Sequence, residues 1–248
     1  MSEQRYRDYD SFAWLYSRHW ALDYHAQAMP VLEKLLLKKL KAGSAVLDLC
    51  CGDGRLAKGL QVRGYKVTGL DGSDEMLAAA RLRAPEVEFV AGDARDFHFA
   101  EPFDAVVSTG DSMNHLLGRK ELQKVFGNVR ACLRPGGWFV FDMNRLEAFR
   151  ELWPNVTSIV DIDVVSVARA SYDEGRMLAT CEFTQFRREK GAWLRSDFTI
   201  RERYYPEDDV VADLCAAGFE APKICDATEL GMSGEIGQHR NYFVARRI

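Results

Sequence analysis

The stretch VLDLCCGDGRLA, residues 46–57, decides the fold. In it, an apolar run is followed by a turn that contains Gly52 and Gly54 and then by a helix-compatible segment. Glycines let the backbone approach a ligand closely, and the first turn of the following helix presents free N–H groups. The stretch therefore predicts a strand, a ligand-binding turn and a helix, although a G-x-G-x-x-A turn alone is typical of many α/β proteins.

Short apolar runs alternate with helix-compatible segments on the C-terminal side of this stretch. The runs lie at 45–49, 66–70, 87–90, 103–108 and 137–141, and the helical segments at 54–63, 74–83 and 119–132. This alternation predicts a Rossmann-like, doubly wound α/β fold with a parallel sheet. A helix at 207–217 and strands near 222–226 and 241–247 complete it. Because the segment between these two strands carries three glycines, we expect no regular crossover helix and an antiparallel last strand.

Two regions extend this core. Residues 9–27 and 30–41 have helical patterns, with Pro30 at a helix start. Residues 156–204 alternate apolar and polar side chains, which predicts three antiparallel strands. The expected organisation is an N-terminal helical lid (1–43), a Rossmann-like core (44–150), an antiparallel β insert that forms a substrate wall (151–205) and the completion of the core sheet (206–248).

The composition excludes several function classes. The chain has 248 residues and a formal net charge of −4, so it has no global attraction to nucleic acid or anionic lipid. Its first 25 residues contain no apolar run of the kind a signal peptide has, so we expect no secretory signal, and no stretch approaches the ~18 apolar residues of a membrane span. The six cysteines have no metal-binding spacing. We expect a cytoplasmic protein without a metal ion or a nucleic-acid or membrane partner. The oligomeric state stays open.

Acidic residues recur at the ends of the first three predicted strands, at Asp48, Asp71 and Asp93. These ends lie along one edge of a parallel sheet, where open α/β folds bind their ligands. A carboxylate at Asp71 can accept hydrogen bonds from ribose hydroxyls. The alternative is that each acid only caps a helix or a loop.

Several segments together resemble the ordered motifs of class I S-adenosylmethionine-dependent methyltransferases: DLCCGDG, LDGSDEML, AGDARDF, FDAVVST and LRPGGWFVFD. The segment from Tyr9 to Ala13, with Tyr16, also resembles the N-terminal part of small-molecule members. The resemblance implies a seven-stranded sheet with an antiparallel last strand, and S-adenosyl-L-methionine as the cofactor. The chain departs from the pattern at Cys50, where many members have glycine.

The resemblance also implies roles for individual residues. The segment from Cys51 through Gly52 and Asp53 to Gly54 would border the methionine part of the cofactor, Asp71 would bind the ribose, and Asp93 and Ala94 would flank the adenine. The further predicted cofactor residues are Tyr16, Asp48, Gly72, Met76, Gly92 and Thr109.

The segment after the fourth strand carries the predicted catalytic residues, Asp111 and His115. Four positions apart, they could share a helical face and orient an amine or accept a proton during in-line methyl transfer. The alternative is that Asp111 caps a helix and His115 only packs. The candidate substrate contacts are Tyr9, Asn114, Arg203 and Tyr205, and a lid of Tyr9, Phe12, Trp14 and Tyr16 could cover the sulfonium.

The acceptor is expected to be a small molecule, because the motifs of adenine and cytosine methyltransferases are absent. The insert carries Arg187, Arg188, Lys190, Arg195, Arg201 and Arg203. These basic residues suggest a wall for an anionic substrate, or else a solvated strand face. Three other functions stay open: an NAD-dependent oxidoreductase, a non-catalytic S-adenosylmethionine-binding protein and an RNA methyltransferase.

Overall fold

Two helices open the chain in the computed structural model, which describes residues 2–248 and the side chains from residue 6 onward except residue 7. They are α1 (Ser2–His19) and α2 (Ala21–Leu35), and a 3₁₀ turn, Leu37–Lys39, follows them. The predicted helix start at Pro30 is wrong, because Pro30 lies inside α2. Ala28, Val31 and Leu32 continue the buried face of α2 across the proline. Burial therefore outweighs the hydrogen bond that proline cannot donate.

The remaining elements have the following bounds. The strands are β1 (Ala45–Leu49), β2 (Lys66–Asp71), β3 (Glu88–Ala91), β4 (Phe103–Ser108), β5 (Leu133–Asn144), β6 (Val156–Val160), β7 (Val164–Asp173), β8 (Leu178–Glu189), β9 (Ala192–Arg203), β10 (Lys223–Asp226) and β11 (Arg240–Arg246). The helices are α3 (Arg55–Val62), α4 (Asp74–Arg83), α5 (Arg119–Cys132), α6 (Glu207–Ala217) and α7 (Gly234–Gly237), with short helical turns at Ser112–His115 and Ala148–Leu152.

The main sheet has seven strands in the order β10-β11-β5-β4-β1-β2-β3. The pairs from β5 to β3 are parallel, and β11 is antiparallel to both of its neighbours. Only the single helical turn of α7 stands between β10 and β11, so the chain reverses there instead of crossing over. The predicted doubly wound sheet and its antiparallel last strand are confirmed.

Both faces of the main sheet are buried. One face packs against α5 and α6 through Phe126 and Leu214, and the other packs against α2 and α3 through Leu32 and Leu60. Burial of each such side chain contributes about 1.5–3 kcal/mol to folding. The helices thereby leave the carboxyl ends of the parallel strands as the edge at which a ligand can enter.

A second, antiparallel sheet has four strands in the order β6-β7-β8-β9. The prediction of three strands is wrong, because residues 161–163 form a tight turn that separates β6 from β7. This turn contains neither glycine nor proline; the side chain of Asp161 stabilises it by accepting a hydrogen bond from the N–H of Ile162. The inner face of the sheet packs against Phe12 and Leu15 of α1.

None of the described helices is both long and apolar enough to cross a membrane.

Candidate active site

A cavity of 510 Å³ lies at the carboxyl ends of the parallel strands, between the main sheet, α1 and the second sheet. All but two of the predicted cofactor residues line it: Tyr16, Asp48, Cys51, Gly52, Asp71, Gly72, Met76, Gly92, Asp93, Ala94 and Thr109. The predicted catalytic residues Asp111 and His115 line it as well, together with Tyr9. The topology thus brings the ends of several strands to one ligand-sized space.

Asp71 ends β2, and its carboxylate is held in place by two backbone groups. The N–H of Gly52 donates to Oδ2 at 2.8 Å, and the N–H of Ser73 donates to Oδ1 at 2.9 Å. Burial raises the pKa of Asp71, and these hydrogen bonds oppose the rise. The carboxylate is therefore rigid and tied to the Gly52 turn.

Ser73 connects the start of α4 to α1. Its hydroxyl caps the helix by accepting a hydrogen bond from the N–H of Met76 at 3.2 Å, and it donates to Asp10 of α1 at 2.6 Å. A cap of this kind contributes about 1 kcal/mol to helix stability. The same residue thus begins a helix and fastens α1 over the cavity.

Asp93 follows β3 and is paired with Arg95. The Nε atom of Arg95 lies 2.8 Å from Oδ1 and 3.1 Å from Oδ2 of Asp93. Burial alone would raise the pKa of Asp93, but the hydrogen bonds from Arg95 outweigh it and lower the pKa to about 2. Asp93 is consequently ionised at neutral pH.

Asp48 lies inside β1 and is almost completely buried, at 1% exposure. Its Oδ2 atom has no hydrogen-bond partner in the described part of the chain. Burial, followed by the charge of Asp71, raises the pKa of Asp48 to about 8. Such a carboxylate is costly unless a ligand supplies a donor or a positive charge.

The other end of the cavity contains a cluster of Asp111, His115 and Glu202. Nε2 of His115 lies 3.5 Å from Oδ1 of Asp111 and 3.8 Å from Oε1 of Glu202. On the opposite side of the ring, Nδ1 lies 2.9 Å from the hydroxyl of Tyr9. Asp111 directly precedes the short helical turn that ends at His115, and the 3.5 Å contact confirms that the two side chains share a face. The side chain of Asp111 caps no helix.

The electrostatics of this cluster depend on burial and on charges held close together. Burial lowers the pKa of His115, but the charge of Glu202 and the hydrogen bond with Asp111 outweigh it, so that the net shift is upward. Burial and the charge of Asp111 raise the pKa of Glu202. The pKa of Asp111 is lowered because Arg240 and His115 outweigh its burial. The cluster can therefore hold a cation or exchange a proton.

Arg240, on β11, stabilises the cluster through contacts with its carboxylates. Its guanidinium donates to Oδ2 of Asp111 at 2.6 Å and also contacts Asp142. The amide of Asn144 donates to Asp111 at 3.2 Å and to Glu202 at 3.1 Å. The ligating atoms of Asp111, His115 and Glu202 lie within 4.8 Å of one another, a spacing that could also accept a metal ion. Oδ2 of Asp111 already accepts a hydrogen bond from Arg240, so this oxygen is not free to bind a metal ion.

Sequence and structure comparisons identify the family. A family model described as a methyltransferase domain matches residues 46–137. The YqeM protein of Bacillus subtilis (strain 168), which is named as a methyltransferase, is 30% identical over 210 residues, 82% of this chain and 83% of that protein.

This chain belongs to the class I S-adenosylmethionine-dependent methyltransferases.

Two further comparisons show a protein with a similar structure and a protein with a similar sequence. An S-adenosylmethionine-dependent methyltransferase from Clostridium acetobutylicum ATCC 824 has the same fold, with a TM-score of 0.80 at 23% identity over 96% of this chain and 98% of that one. A protein of Streptomyces venezuelae, named dTDP-3-amino-3,4,6-trideoxy-alpha-D-glucopyranose N,N-dimethyltransferase, is 31% identical over 157 residues, 60% of this chain and 63% of that protein. The cofactor is S-adenosyl-L-methionine, and the alternatives of an NAD-dependent oxidoreductase and a non-catalytic binding protein are wrong.

The residues of the methyltransferase fit this cofactor. The methionine part of S-adenosylmethionine carries an α-ammonium group. This group is a hydrogen-bond donor of the kind that the buried Oδ2 of Asp48 lacks within the described protein. A Cβ added at Gly52 would make only ordinary contacts, at 3.8 Å to Tyr16 and 3.9 Å to Met76. The turn therefore has free space beside Gly52. The charge and the space of the cavity thus match the group that the family uses.

Two predicted cofactor residues, Asp53 and Gly54, do not line the cavity. Asp53 is fully buried, and its Oδ2 accepts hydrogen bonds from Arg55 at 3.1 Å and Arg83 at 2.9 Å. Gly54 directly precedes α3 and has a φ of 74°, and a Cβ there would lie 2.8 Å from that of Ala80. In the structure, both residues stabilise the turn.

Cys50, where many family members have glycine, also lines the cavity. Its φ is 59°, in the left-handed region that favours glycine. A side chain costs about 1–2 kcal/mol there. The glycine of the family pattern therefore reflects a left-handed backbone conformation, which Cys50 adopts in this chain at the cost of strain.

Three of the four predicted substrate contacts do not line the cavity. Asn114 is buried and binds the backbone of Arg203 and Asn144. The hydroxyl of Tyr205 donates to the carbonyl of Leu116 at 2.5 Å, and Arg203 donates to the carbonyl of Arg176. Asn114 and Tyr205 thus join the end of β9 to the segment after β4, and Arg203 binds the turn between β7 and β8. Tyr9 is the predicted substrate residue that lines the cavity.

The basic residues of the second sheet do not form the predicted anion wall. None of Arg187, Arg188, Lys190, Arg195, Arg201 and Arg203 lines the cavity. Arg187 pairs with Glu189, and Arg195 pairs with Asp197. The sheet instead presents Cys181, Phe183, Ile200 and Glu202 to the cavity. In the predicted aromatic lid, Tyr9, Phe12 and Tyr16 line the cavity, but Trp14 packs against Arg18 and Arg187.

Proposed function

We propose that this methyltransferase transfers a methyl group to an amine of a small molecule, at the cluster of Asp111, His115 and Glu202. The observation that carries the proposal is the charge at the acceptor end of the cavity. Three buried or half-buried carboxyl groups, those of Asp111, Asp142 and Glu202, are neighbours of one guanidinium, that of Arg240. Such a site favours a protonated amine over an anion.

The side chains of this chain can be given roles in the transfer. The cofactor supplies an electrophilic methyl group on a sulfonium. Asp48, Asp71 and Asp93 would hold its ammonium, its ribose and its adenine, respectively. Tyr9, Phe12 and Tyr16 would exclude water from the methyl group and place their ring faces near the positive charge.

An ammonium group has no lone pair, so it must lose a proton before it attacks. Nε2 of His115 would accept that proton, and the carboxylates of Asp111 and Glu202 would stabilise the resulting imidazolium. The freed lone pair of the nitrogen could then accept the methyl group that bound S-adenosylmethionine would supply, which would give the methylated amine and S-adenosylhomocysteine. Positioning supplies much of the acceleration in such a displacement.

The names of relatives support this choice of acceptor. Besides the Streptomyces venezuelae enzyme, relatives from Saccharopolyspora spinosa and Streptomyces fradiae are named N,N-dimethyltransferases of dTDP-amino sugars. We therefore propose an amino sugar or a similar polar amine as the acceptor.

The test is a panel of small amines, each paired with the analogue in which a hydroxyl replaces the amino group. The purified protein is incubated with S-adenosylmethionine labelled on the methyl group, and the products are identified by mass spectrometry. We expect methyl transfer to amines and not to their hydroxyl partners. Transfer confined to the hydroxyl analogues would refute the choice of acceptor and would instead favour O-methylation assisted by His115.

A further inference from the structure

The second sheet presents mostly apolar side chains to the cavity. Within the described part of the chain, it contributes Cys181, Phe183, Ile200 and Glu202. The first three carry only a thiol or hydrocarbon and are 5–9% exposed. Phe12 of α1 lines the cavity beside them, with its ring centroid 5.5 Å from that of Phe183. Phe12, Cys181, Phe183 and Ile200 together are named the apolar wall.

The apolar wall begins next to the proposed acceptor cluster. Glu202 and Ile200 are two residues apart on β9, so their side chains point to the same face of the sheet, roughly 7 Å apart along the strand. Cys181 is directly opposite Ile200 on β8. On the other side of Glu202, its Oε1 atom lies 3.8 Å from Nε2 of His115. The surface of the second sheet that borders the proposed nitrogen site is therefore apolar.

Packing behind the apolar wall holds its aromatic rings in place. Phe183 stacks on Phe198, with ring centroids 4.8 Å apart and an angle of 10° between the planes. Phe12 lies 6.2 Å from Phe198, and the fully buried Leu15 and Val164 belong to the same cluster. Because close-packed side chains cannot turn freely, the apolar wall is a preformed surface.

The apolar wall offers little to a hydroxyl group. The backbone N–H and C=O groups of a sheet point within its plane and not toward the face that lines the cavity. Burial raises the pKa of the Cys181 thiol to about 11, so this group stays protonated at neutral pH, and a thiol is a weak hydrogen-bond donor. A hydroxyl placed against Phe183 or Ile200 would lose its hydrogen bonds to water without gaining a strong partner, which weakens binding.

We propose that the apolar wall receives the carbon atoms next to the amino group of the acceptor, and that this methyltransferase selects amines without a hydroxyl group on those atoms. The inference rests on the proposed function for the position of the nitrogen. It concerns the immediate neighbours of the nitrogen and leaves the rest of the acceptor free to be polar. Burial of methylene groups against the wall favours such an amine, and Ile200 acts as a specificity-determining residue.

The experiment uses four six-membered ring compounds in which the amino group and the neighbouring hydroxyl vary independently. They are cyclohexylamine, trans-2-aminocyclohexanol, cyclohexanol and trans-1,2-cyclohexanediol. Binding of each to the protein saturated with S-adenosylhomocysteine is measured by calorimetry at neutral pH. The proteins are the wild type, Ile200→Thr, which places a hydroxyl on the apolar wall, and the control Ile162→Thr, which makes the same change at an exposed position outside the cavity.

We expect the neighbouring hydroxyl to weaken binding to the wild type about tenfold or more, for the amines and the alcohols alike. In Ile200→Thr, the threonine hydroxyl can pair with that of the ligand, so the penalty should shrink, whereas Ile162→Thr should retain it. Tighter binding of each amine than of the alcohol with the same ring substitution tests the proposed function separately.

Two results would overturn the inference. One is that the wild type binds the hydroxylated compounds as well as their partners, or binds none of the four. The other is a penalty that persists undiminished in folded Ile200→Thr, which would assign the preference to another part of the cavity. A penalty in the wild type without any advantage of amines over alcohols would instead refute the proposed choice of acceptor and support the role of the apolar wall. If Ile200→Thr does not fold, the wild-type comparison decides the question.

Discussion

Oε1 of Glu202 lies 3.8 Å from Nε2 of His115, and the two side chains come from different sheets of the molecule. His115 follows β4 of the main sheet, whereas Glu202 belongs to β9 of the second sheet. The contact makes the second sheet part of the proposed acceptor site. It also makes the proton affinity of His115 depend on a residue of that sheet, because the charge of Glu202 opposes the effect of burial.

Replacement of Glu202 by glutamine should move the pH dependence of the reaction. His115 must be neutral to accept a proton, so kcat/KM falls on the acid side as pH drops through its raised pKa. Without the charge of Glu202, that pKa falls, and the acid limb of the profile should move to lower pH. The measurement is kcat/KM against pH for the wild type and Glu202→Gln.

Glu182→Gln is the matched control, since Glu182 is exposed on β8 and does not line the cavity. Its profile should coincide with that of the wild type. An acid limb in Glu202→Gln that stays in place, with kcat reduced at every pH, would mean that Glu202 acts on the acceptor without tuning His115.

His115→Gln should separate chemistry from cofactor binding. Loss of a general base lowers a rate by about 10²–10⁴-fold, and kcat should fall within that range. The affinity for S-adenosylhomocysteine should stay close to that of the wild type, because the assigned cofactor residues lie on the other strand ends. The measurements are steady-state kinetics and calorimetry; a wild-type kcat in the variant would exclude His115 as the base.

The pattern of neighbouring strand ends was enough to predict that three acidic residues line one cavity. Asp48, Asp71 and Asp93 lie at or near the carboxyl ends of successive parallel strands, and the fold brings such ends together whatever the details of packing. Asp111 and His115 were predictable for a similar reason, since a spacing of four residues places two side chains on one face of a local turn.

Glu202 lines the cavity, whereas the predicted substrate residue is its neighbour Arg203. Successive side chains of a strand point to opposite faces, so an error of one position exchanges the cavity for solvent. The buried residues Phe198 and Ile200 have the same parity as Glu202 and would have placed it on the inner face. Arg240 carries no comparable signal, because its position beside Asp111 and Asp142 arises from contacts between elements distant in the sequence.

Asp48→Asn should abolish tight cofactor binding and stabilise the empty protein at alkaline pH. The pKa of Asp48 is about 8 in the folded chain against 3.8 unfolded. The folded state therefore binds more protons than the unfolded state between these values, and wild-type stability falls as pH rises through this window. Asparagine is neutral at every pH and escapes that loss.

The test is the free energy of unfolding of ligand-free wild type and Asp48→Asn, measured at about pH 5 and about pH 8.5. These two values span most of the range between the unfolded and folded pKa of Asp48. The advantage of the variant should grow with pH by an amount on the order of a few kcal/mol. Asp74→Asn, at an exposed position of α4, should show no such growth. A constant difference between wild type and Asp48→Asn would mean that Asp48 is ionised in the empty site.

Arg240→Met should destabilise the protein more than a typical surface change. Arg240 is 7% exposed and binds Asp142, which is fully buried, as well as Asp111. Removal of one partner of a buried ion pair costs about 3–5 kcal/mol, since it leaves an uncompensated charge. Burial already raises the pKa of Asp142, and Arg240 opposes that rise, so the variant should also lose more stability at neutral than at acid pH.

The double variant Arg240→Met with Asp142→Asn serves as the control, because it removes the buried charge together with its partner. Urea unfolding at neutral pH should show that it recovers part of the stability lost by Arg240→Met alone. A loss below about 1 kcal/mol in the single variant would place this pair among weak surface ion pairs. Such a small loss would mean that water reaches Asp142 once Arg240 is removed. The surroundings of Asp142 would then be more open than its hydrogen bonds from Tyr24 and Gly110 indicate.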